Sequence, residues 1–275
     1  MSSINTLGNR KPSRYDPDLA KRINKEVEEE LRKEKLKEKL KKETKTAQNP
    51  EPKAEPLEYK LGDLIIDEQP ADNGSHKTHD QWIEYWGNIT DGRRFASMPD
   101  YLQIARQLQS QDQDKVKNLL ESLRSDFNPW LSLNTRIDCN PDDLNARIIQ
   151  NYKCRDSSLI REINCKVPIL SGVYLSDVKG DKEVQKYIEA ISGISDIEET
   201  ASLLQYISIL QYISNKPIEK IKLWTPDQEN RIHYPKMAVF FNFNGGGFHV
   251  SGDDRVDNNN GNGGRSRGVR SQNFP

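Results

Sequence analysis

The chain has 275 residues, of which 34% are apolar and 30% are charged, and its formal net charge at pH 7 is −1. The length allows one large domain or two small ones, and the balanced charge excludes a protein that binds nucleic acid through its bulk charge alone. Three cysteines and the lack of an apolar secretory leader argue against a disulfide scaffold. No run is long enough to span a membrane, so we expect a cytoplasmic protein without membrane contact.

Residues 1–56 are predicted to form a charged arm that is disordered or helical and that ends in a proline-rich linker. Helix formers dominate from Asp16 onward, and the apolar residues recur mostly four apart, so their stripe drifts around a helix instead of holding a coiled-coil seam. Pro50, Pro52 and Pro56 favour an extended linker. The arm is open to three interpretations: a solvated, salt-bridged helix, a partner-binding or coiled-coil helix, or a basic contact to nucleic acid or a membrane surface.

Residues 57–257 are predicted to form one α+β globular domain of mixed helices and antiparallel strands. Its first part, residues 78–128, is expected to be a lobe of three short helices. Thr78 and Gln81 match a capping box at the first helix, and Ser97 is the expected N-cap of the second. The third helix follows from the apolar residues at helical spacing in the run QDKVKNLLESLRSDF.

The second part of the domain, residues 130–257, is predicted to be a sheet with core helices. The run WLSLNTRIDC alternates between polar and apolar residues over much of its length, which is typical of a half-buried strand. A core helix is expected after Ser195, which matches a capping box with Glu198. Asn244 and Gly245, between two aromatic arms, predict a β-hairpin near the end of the domain. Strands and helices come in separate runs, which favours α+β over a doubly wound sheet.

Residues 258–275 are predicted to be a polar tail rich in glycine, asparagine and arginine. The first half of this tail has no apolar side chain and can therefore bury nothing. In such a mobile chain, Arg265, Arg267 and Arg270 could neutralise the phosphates of a nucleic acid. The alternative is that the chain returns to the domain through Val269.

A polar cluster beside the hairpin is the first candidate site. His249, Asp253, Asp254 and His233 are candidates for catalysis, because carboxylates beside a histidine can bind a divalent cation or transfer protons. The alternative is a solvated turn. The sequence lacks the spacing of a calcium loop, a zinc knuckle, a phosphate-binding loop or a serine-nucleophile motif. We therefore predict no metal site and no cofactor.

The loop 222–236 is the second candidate site. Trp224, Arg231 and Tyr234 crowd this loop between two predicted strands, and two prolines bound it. Aromatic and basic side chains on such a loop are typical of binding surfaces. The alternative is that the aromatic residues pack over the edge of the sheet.

These observations favour a non-enzymatic interaction or assembly module that uses its charged arm to contact a protein or a nucleic acid. The sequence does not decide whether the chain is an enzyme. The alternative function is a metal-assisted hydrolase built on the cluster of His249, Asp253, Asp254 and His233. A self-associating structural protein with a mobile arm is a third class.

Overall fold

Two β-sheets and six helices make up the part of the chain that the computed structural model describes. The described residues are 58–127, 130–140, 142–208, 215–225, 227, 229, 232, 236–244, 247–253 and 264–272. All of them belong to one compact unit that begins at Pro56. The α+β fold class predicted from the sequence is confirmed, whereas the predicted arm lies outside the described residues.

The strands form a four-stranded and a seven-stranded sheet. The smaller sheet has the order β1-β2-β11-β3, and all its neighbours are antiparallel. The larger sheet has the order β6-β5-β4-β9-β10-β8-β7, and it is antiparallel except between β10 and β8. The strands are β1 (Glu58–Leu61), β2 (Leu64–Asp67), β3 (Arg94–Phe95), β4 (Trp130–Cys139), β5 (Asn145–Gln150), β6 (Arg161–Lys166), β7 (Ser171–Tyr174), β8 (Ile221–Trp224), β9 (Lys236–Asn244), β10 (Gly247–Asp253) and β11 (Gly268–Ser271).

Most of the helices begin after a residue whose side chain caps their first turn. Thr78 and Gln81 form the predicted capping box of the first helix, and Ser97 is the N-cap of the second, as predicted. The predicted Ser195 box is wrong by one residue, because the carboxylate of Asp196 accepts the first free N–H groups of the last helix. The helices are α1 (His79–Asn88), α2 (Met98–Gln109), α3 (Gln113–Asp126), α4 (Leu175–Val178), α5 (Lys182–Ser192) and α6 (Ile197–Ile207).

One main hydrophobic core joins the helices to both sheets. Apolar side chains of α2, α3, α5 and α6 pack with those of β4, β5, β8 and β9, and strands β1 and β2 contribute to the same core. The predicted helical lobe is therefore not separate from the sheet, since two of its three helices share this core. A second, smaller core contains Ala71, Trp82, Trp86 and Phe95, and it joins α1 to the smaller sheet.

The predicted hairpin is confirmed as the antiparallel pair β9 and β10. Asn244 pairs with Gly247, so it is the last paired residue of its strand instead of a turn residue. Gly245 and Gly246 between them lie outside the described residues.

The end of the chain differs from the predicted tail 258–275. Strand β11 lies between β2 and β3, where Val269 pairs with Ile66 on one side and Arg94 on the other and is fully buried. The partners of this strand lie far away in the sequence, so its local composition cannot reveal the pairing. The structure thus agrees with the alternative in which the chain returns to the domain through Val269.

Candidate functional site

A cavity of about 150 Å³, here called the cleft, lies between helix α1, strand β3 and the loop that joins β5 to β6. Part of its wall is apolar, and the rest carries basic, amide and acidic side chains. The apolar residues are Ile83, Trp86, Ile89, Phe95 and Leu159, and the polar ones include Arg93, Arg94, Asn134, Lys153, Arg155 and Asp156. A concave, mostly apolar surface with a few convergent polar groups is the usual form of a ligand site.

The apolar wall is held in place by the C-terminal segment. Trp86 donates its Nε1–H to Ser266 Oγ at 2.9 Å, and Trp82 donates its own to the carbonyl of Gly264 at 2.7 Å. The ring of Tyr85 stands edge-on to both indoles, with centroids 5.4 and 5.1 Å away. The hydrogen bond from each N–H and the ring contact with Tyr85 hold both indoles in one orientation. The apolar wall is therefore already in place before any ligand enters.

Arg94 is anchored on the other side of the cleft by a buried ion pair. Its two terminal nitrogens donate to Asp100 at 2.6 and 2.7 Å, and one of them also donates to Asn151 Oδ1 at 2.8 Å. Asp100 in turn accepts the N–H and the hydroxyl of Ser97 at 2.7 Å each. Burial opposes ionisation of Asp100, but the Arg94 charge and these hydrogen bonds hold the pKa of its carboxyl below the usual value.

The loop after β5 is held in an unusual backbone conformation. Asn151 and Lys153 have φ angles of 55° and 53°, in the left-handed region that side chains other than glycine and asparagine rarely adopt. Asn151 fixes the loop by donating its backbone N–H to Asn134 at 2.8 Å and its Nδ2–H to Leu159 at 3.0 Å. Such a conformation costs on the order of 1–3 kcal/mol and concentrates at functional sites.

Two polar atoms in the cleft wall have no hydrogen-bond partner among the described residues. They are Oδ1 of Asn134 and Nε of Arg94, and Asn134 is only 2% exposed. A buried polar atom without a partner costs about 1–3 kcal/mol. Both atoms are enclosed by neighbouring protein atoms, so their missing hydrogen bonds are a property of the wall itself and do not open onto the cleft.

The rim of the cleft is cationic. Lys153 and Arg155 are exposed, and no carboxylate of the described residues lies within 4 Å of either side-chain cation. Arg93, by contrast, is paired with Asp91 at 2.6 Å and with Asp67 at 3.2 Å. Asp156 is the acid of the cleft lining, and hydrogen bonds from Ser158 lower the pKa of its carboxyl.

One thiol belongs to the described lining of the cleft. Cys154 lines it, but burial raises the pKa of this thiol, so the reactive thiolate is disfavoured. No histidine is part of the described lining. In the described ranges, no three histidine, cysteine or acidic side chains converge in a way that could hold a metal ion.

The predicted histidine and aspartate cluster stays a prediction. His249 and Asp253 belong to strand β10, where the described structure gives the backbone without the side chains. Asp254 and His233 lie outside the described residues, as do Arg231 and Tyr234 of the second candidate site.

Trp224 is the last residue of strand β8, which lies next to the edge strand β7 of the larger sheet. The amine of Lys222 is 5.9 Å from its ring centroid, and a Cβ added to Gly172 would come within 2.7 Å of the ring. This close packing agrees with the alternative in which the tryptophan covers the sheet edge. Its role as a binding residue stays a prediction.

Arg267 is placed differently from the mobile position that the sequence suggests. It is fully buried, and its guanidinium donates to Asp126 Oδ2 at 2.7 Å, to the carbonyl of Asp67 at 2.6 Å and to Ser122 Oγ at 2.9 Å. Asp67 and Glu68 both present carbonyls to the same nitrogen. A side chain with every terminal nitrogen bonded in the interior is not available to a partner.

Arg265 and Arg270 are also bonded within the fold, although both keep partial exposure. Arg265 donates to the carbonyl of Ser125 at 3.0 Å, and Arg270 forms an ion pair with Glu58 at 2.6 Å. These contacts join the end of the chain to α3 and β1. All three arginines thus make contacts within the folded unit, and their role in binding a partner stays a prediction.

The cleft residues were missed in the sequence because no motif marks them. The polar residues of the cleft come mainly from three separated segments: the Arg93-Arg94 pair, Asn134 in a strand, and the loop run NYKCRD. The only local signal is that two of these segments combine basic residues with an adjacent aromatic one.

Comparison of the chain with protein-family models, curated proteins and solved structures finds no match. Throughout the described residues, no helix has the length and apolar character needed to cross a bilayer.

Proposed function

We propose that this chain is a non-enzymatic interaction module that contacts a negatively charged partner through its arm. The observation that carries the proposal is the charge of the run from residue 32 to residue 45, which has eight basic residues and three acidic ones. Clustered lysines neutralise phosphates or acidic side chains without reading sequence. The partner is therefore a nucleic acid or an acidic protein surface.

The folded unit supports this proposal because several of its arginines already form ion pairs within the fold. Arg94, Arg267 and Arg270 are each committed to an internal carboxylate. The cleft contains a thiol whose pKa is raised by burial, which is unsuited to nucleophilic catalysis at neutral pH. The unit thus supplies a folded support with a cavity, and the sequence of the arm supplies clustered positive charge.

The test compares two full-length variants that change the arm in opposite directions. The arm-neutral variant replaces six lysines by glutamine, which keeps helix propensity: Lys33, Lys35, Lys37, Lys39, Lys41 and Lys42. The control variant replaces four acids by glutamine: Glu26, Glu28, Glu29 and Glu30. We expect the arm-neutral variant to lose affinity for single-stranded nucleic acid and the control to bind more tightly than the parent chain.

Equal affinity of the parent chain and the arm-neutral variant would show that the arm is not the contact. Absence of binding at low salt by all three proteins would exclude a nucleic-acid partner. Binding to an acidic protein such as a polyglutamate-coated surface, lost in the arm-neutral variant, would then identify the other partner class.

A further inference from the structure

Strand β6 (Arg161–Lys166) forms one edge of the larger sheet, and it is the longest edge strand that the structure describes. The other edges belong to β1, β3 and β7, which have four, two and four residues. The pairing of β7 with β8 also shifts between Ser171 and Val173. Such an irregularity blunts an edge against further pairing, whereas β6 pairs with β5 without interruption from one end to the other.

The backbone of β6 alternates between groups that face β5 and groups that face the open edge. Val167, which follows the strand, donates its backbone N–H to the carbonyl of Leu144 at 2.8 Å. Bonded positions alternate along an antiparallel pair, so the odd-numbered residues of β6 are the ones that bond to β5. The N–H and C=O groups of Glu162, Asn164 and Lys166 therefore point outward, and no backbone group among the described residues bonds them.

The outward-bonding residues carry a charge pattern that is complementary to itself. In an antiparallel pair with a second copy of β6, centred on Asn164, Glu162 of each copy lies opposite Lys166 of the other. Each of these is a bonded position, so it also exchanges two backbone hydrogen bonds. On the opposite face of the strand, the partly buried Ile163 and Cys165 of the two copies lie opposite each other.

The order of the charges selects this register. Charged side chains on an edge strand commonly oppose pairing with another chain. A pairing centred on Glu162 or on Lys166 has this effect, because it places two identical charges directly opposite each other. The pairing centred on Asn164 instead places each acid opposite a base, so the same charges favour a second copy in one register.

The ends of the strand select the same register. Ile160 already donates its N–H to the carbonyl of Ser157 at 3.2 Å, and Pro168 has no N–H. In the pairing centred on Asn164 these two positions lie opposite each other, so neither interrupts the bonded segment. A shift of the centre by one residue brings one of them opposite a free N–H or carbonyl, which leaves fewer complete pairs.

The ion pairs that these charges form within one chain are exposed. Glu162 is 3.3 Å from Arg147, and Lys166 is 3.0 Å from Glu183, with all four side chains about half exposed. Pairs this exposed contribute little, so they do not hold the charges away from a second copy. In the paired edge they extend into a row of alternating charge, from Arg147 and Glu162 of one copy to Lys166 and Glu183 of the other.

We propose that strand β6 is the interface of a symmetric dimer of this chain, in which the larger sheets of two copies join into one continuous sheet. A patch that is complementary to itself generates a closed two-fold dimer. A strand pair of this length is a small interface, so the dimer has a dissociation constant in the micromolar range. This inference goes beyond the proposed function and does not depend on the arm.

The first test is sedimentation equilibrium of the full-length chain at about 1–500 µM, which covers such dissociation constants. Asn164→Pro removes the outward N–H at the centre of the interface and spares the bonds to β5, since proline is tolerated at that side of an edge strand. The control at the same position is Asn164→Thr, which keeps the N–H and suits a strand. We expect the parent chain and the control to dimerise, and Asn164→Pro to dimerise at least about tenfold more weakly.

The second test exchanges the charges. Glu162→Lys and Lys166→Glu each place like charges opposite each other in their own dimer, so each variant alone should self-associate at least about tenfold more weakly than the parent chain. An equimolar mixture of the two restores an acid opposite a base at both positions. The mixture should therefore dimerise at least about tenfold more tightly than either variant alone.

The proposal is overturned if the parent chain is monomeric throughout this concentration range, or if Asn164→Pro dimerises as tightly as Asn164→Thr. It is also overturned if the mixture of Glu162→Lys and Lys166→Glu forms no more dimer than each variant alone. The mixture decides the matter even if Asn164→Pro fails to fold. The arm-neutral variant should dimerise like the parent chain, so failure of the arm function and failure of this inference are distinguishable.

Discussion

Arg267 shows how much of the stability of this fold rests on one charged side chain in the interior. Arg267 and Asp126 form an ion pair at 2.7 Å in which both side chains have zero exposure. Burial by itself disfavours such a pair, and its geometry and further hydrogen bonds must offset the lost hydration. Removing one partner is therefore more harmful than the net stability of the intact pair suggests.

We expect Arg267→Met to lower the free energy of unfolding by about 3–5 kcal/mol, because it leaves the Asp126 carboxylate buried without its cation. Arg270→Gln is the matched control. It breaks an ion pair with Glu58 in which both side chains are about 30% exposed, so it should cost less than about 1 kcal/mol. Urea unfolding at neutral pH measures both. Similar losses for the two variants would contradict the structural role assigned to Arg267.

His79 makes the fold sensitive to acid. Its imidazole is fully buried, neither ring nitrogen has a hydrogen-bond partner among the described residues, and Asp80 Oδ1 is 3.9 Å from Nδ1. Burial lowers the pKa of this imidazole, and the nearby charge of Arg136 adds to the effect while Asp80 opposes it. The folded state thus favours the neutral ring.

The lowered pKa of His79 determines how the free energy of unfolding changes with pH. A histidine whose folded pKa is lowered contributes stability above its unfolded pKa of about 6.5, and the contribution is lost as pH falls below that value. We expect the parent chain to lose up to about 1.4 kcal/mol per pH unit between about pH 6.5 and 5 from this group. His79→Phe keeps a ring beside Phe95 and should remove this slope. Parallel stability curves for the two proteins would refute the assignment.

At the scale of the element, the last strand completes the smaller sheet. Strand β11 is central in the order β1-β2-β11-β3, so its removal would leave two separate pieces of sheet. Gly268 opens this strand beside the indole of Trp86. A Cβ built on Gly268 would lie 2.5 Å from that ring and 2.7 Å from Asp67 Oδ2, closer than any ordinary contact.

Two glycine-to-alanine substitutions around Trp86 should therefore act in opposite directions. Gly268→Ala should destabilise the protein by about 2 kcal/mol or more, because the added methyl group displaces packed atoms. Gly87→Ala, one residue after Trp86 on the exposed side of α1, meets nothing within 4 Å. It should stabilise by about 0.5–1 kcal/mol, since glycine is unfavourable inside a helix. Thermal unfolding distinguishes the signs, and a stable Gly268→Ala variant would contradict the close packing of β11.

Element starts were predictable where the signal is local. The caps at Thr78 and Ser97 and the hairpin of β9 and β10 depend on residues a few positions apart, so the sequence shows them directly. The cap at Asp196 was misplaced because two neighbouring polar residues both satisfy the pattern. Strand β11 was not predictable in this way, because its pairing depends on segments that meet only in the folded chain.

At the scale of the whole molecule, the sequence predicts the class of the fold but not the cleft. The separate runs of strand and helix patterns suffice for α+β, which is confirmed. The cleft combines Arg94 of β3, Asn134 of β4 and Arg155 of the loop between β5 and β6. Such a site has no local sequence pattern, since its residues meet only in the folded chain.

The most direct measurement is the salt dependence of the affinity for a single-stranded oligonucleotide, in the parent chain and in the arm-neutral variant. Each phosphate contact adds about −0.7 to the slope of log affinity against log salt concentration. If the arm is the contact, removing six lysines should reduce the magnitude of that slope by up to about four. Equal slopes in the two proteins would contradict the proposed function, because the charge that binds the partner would then lie outside the arm.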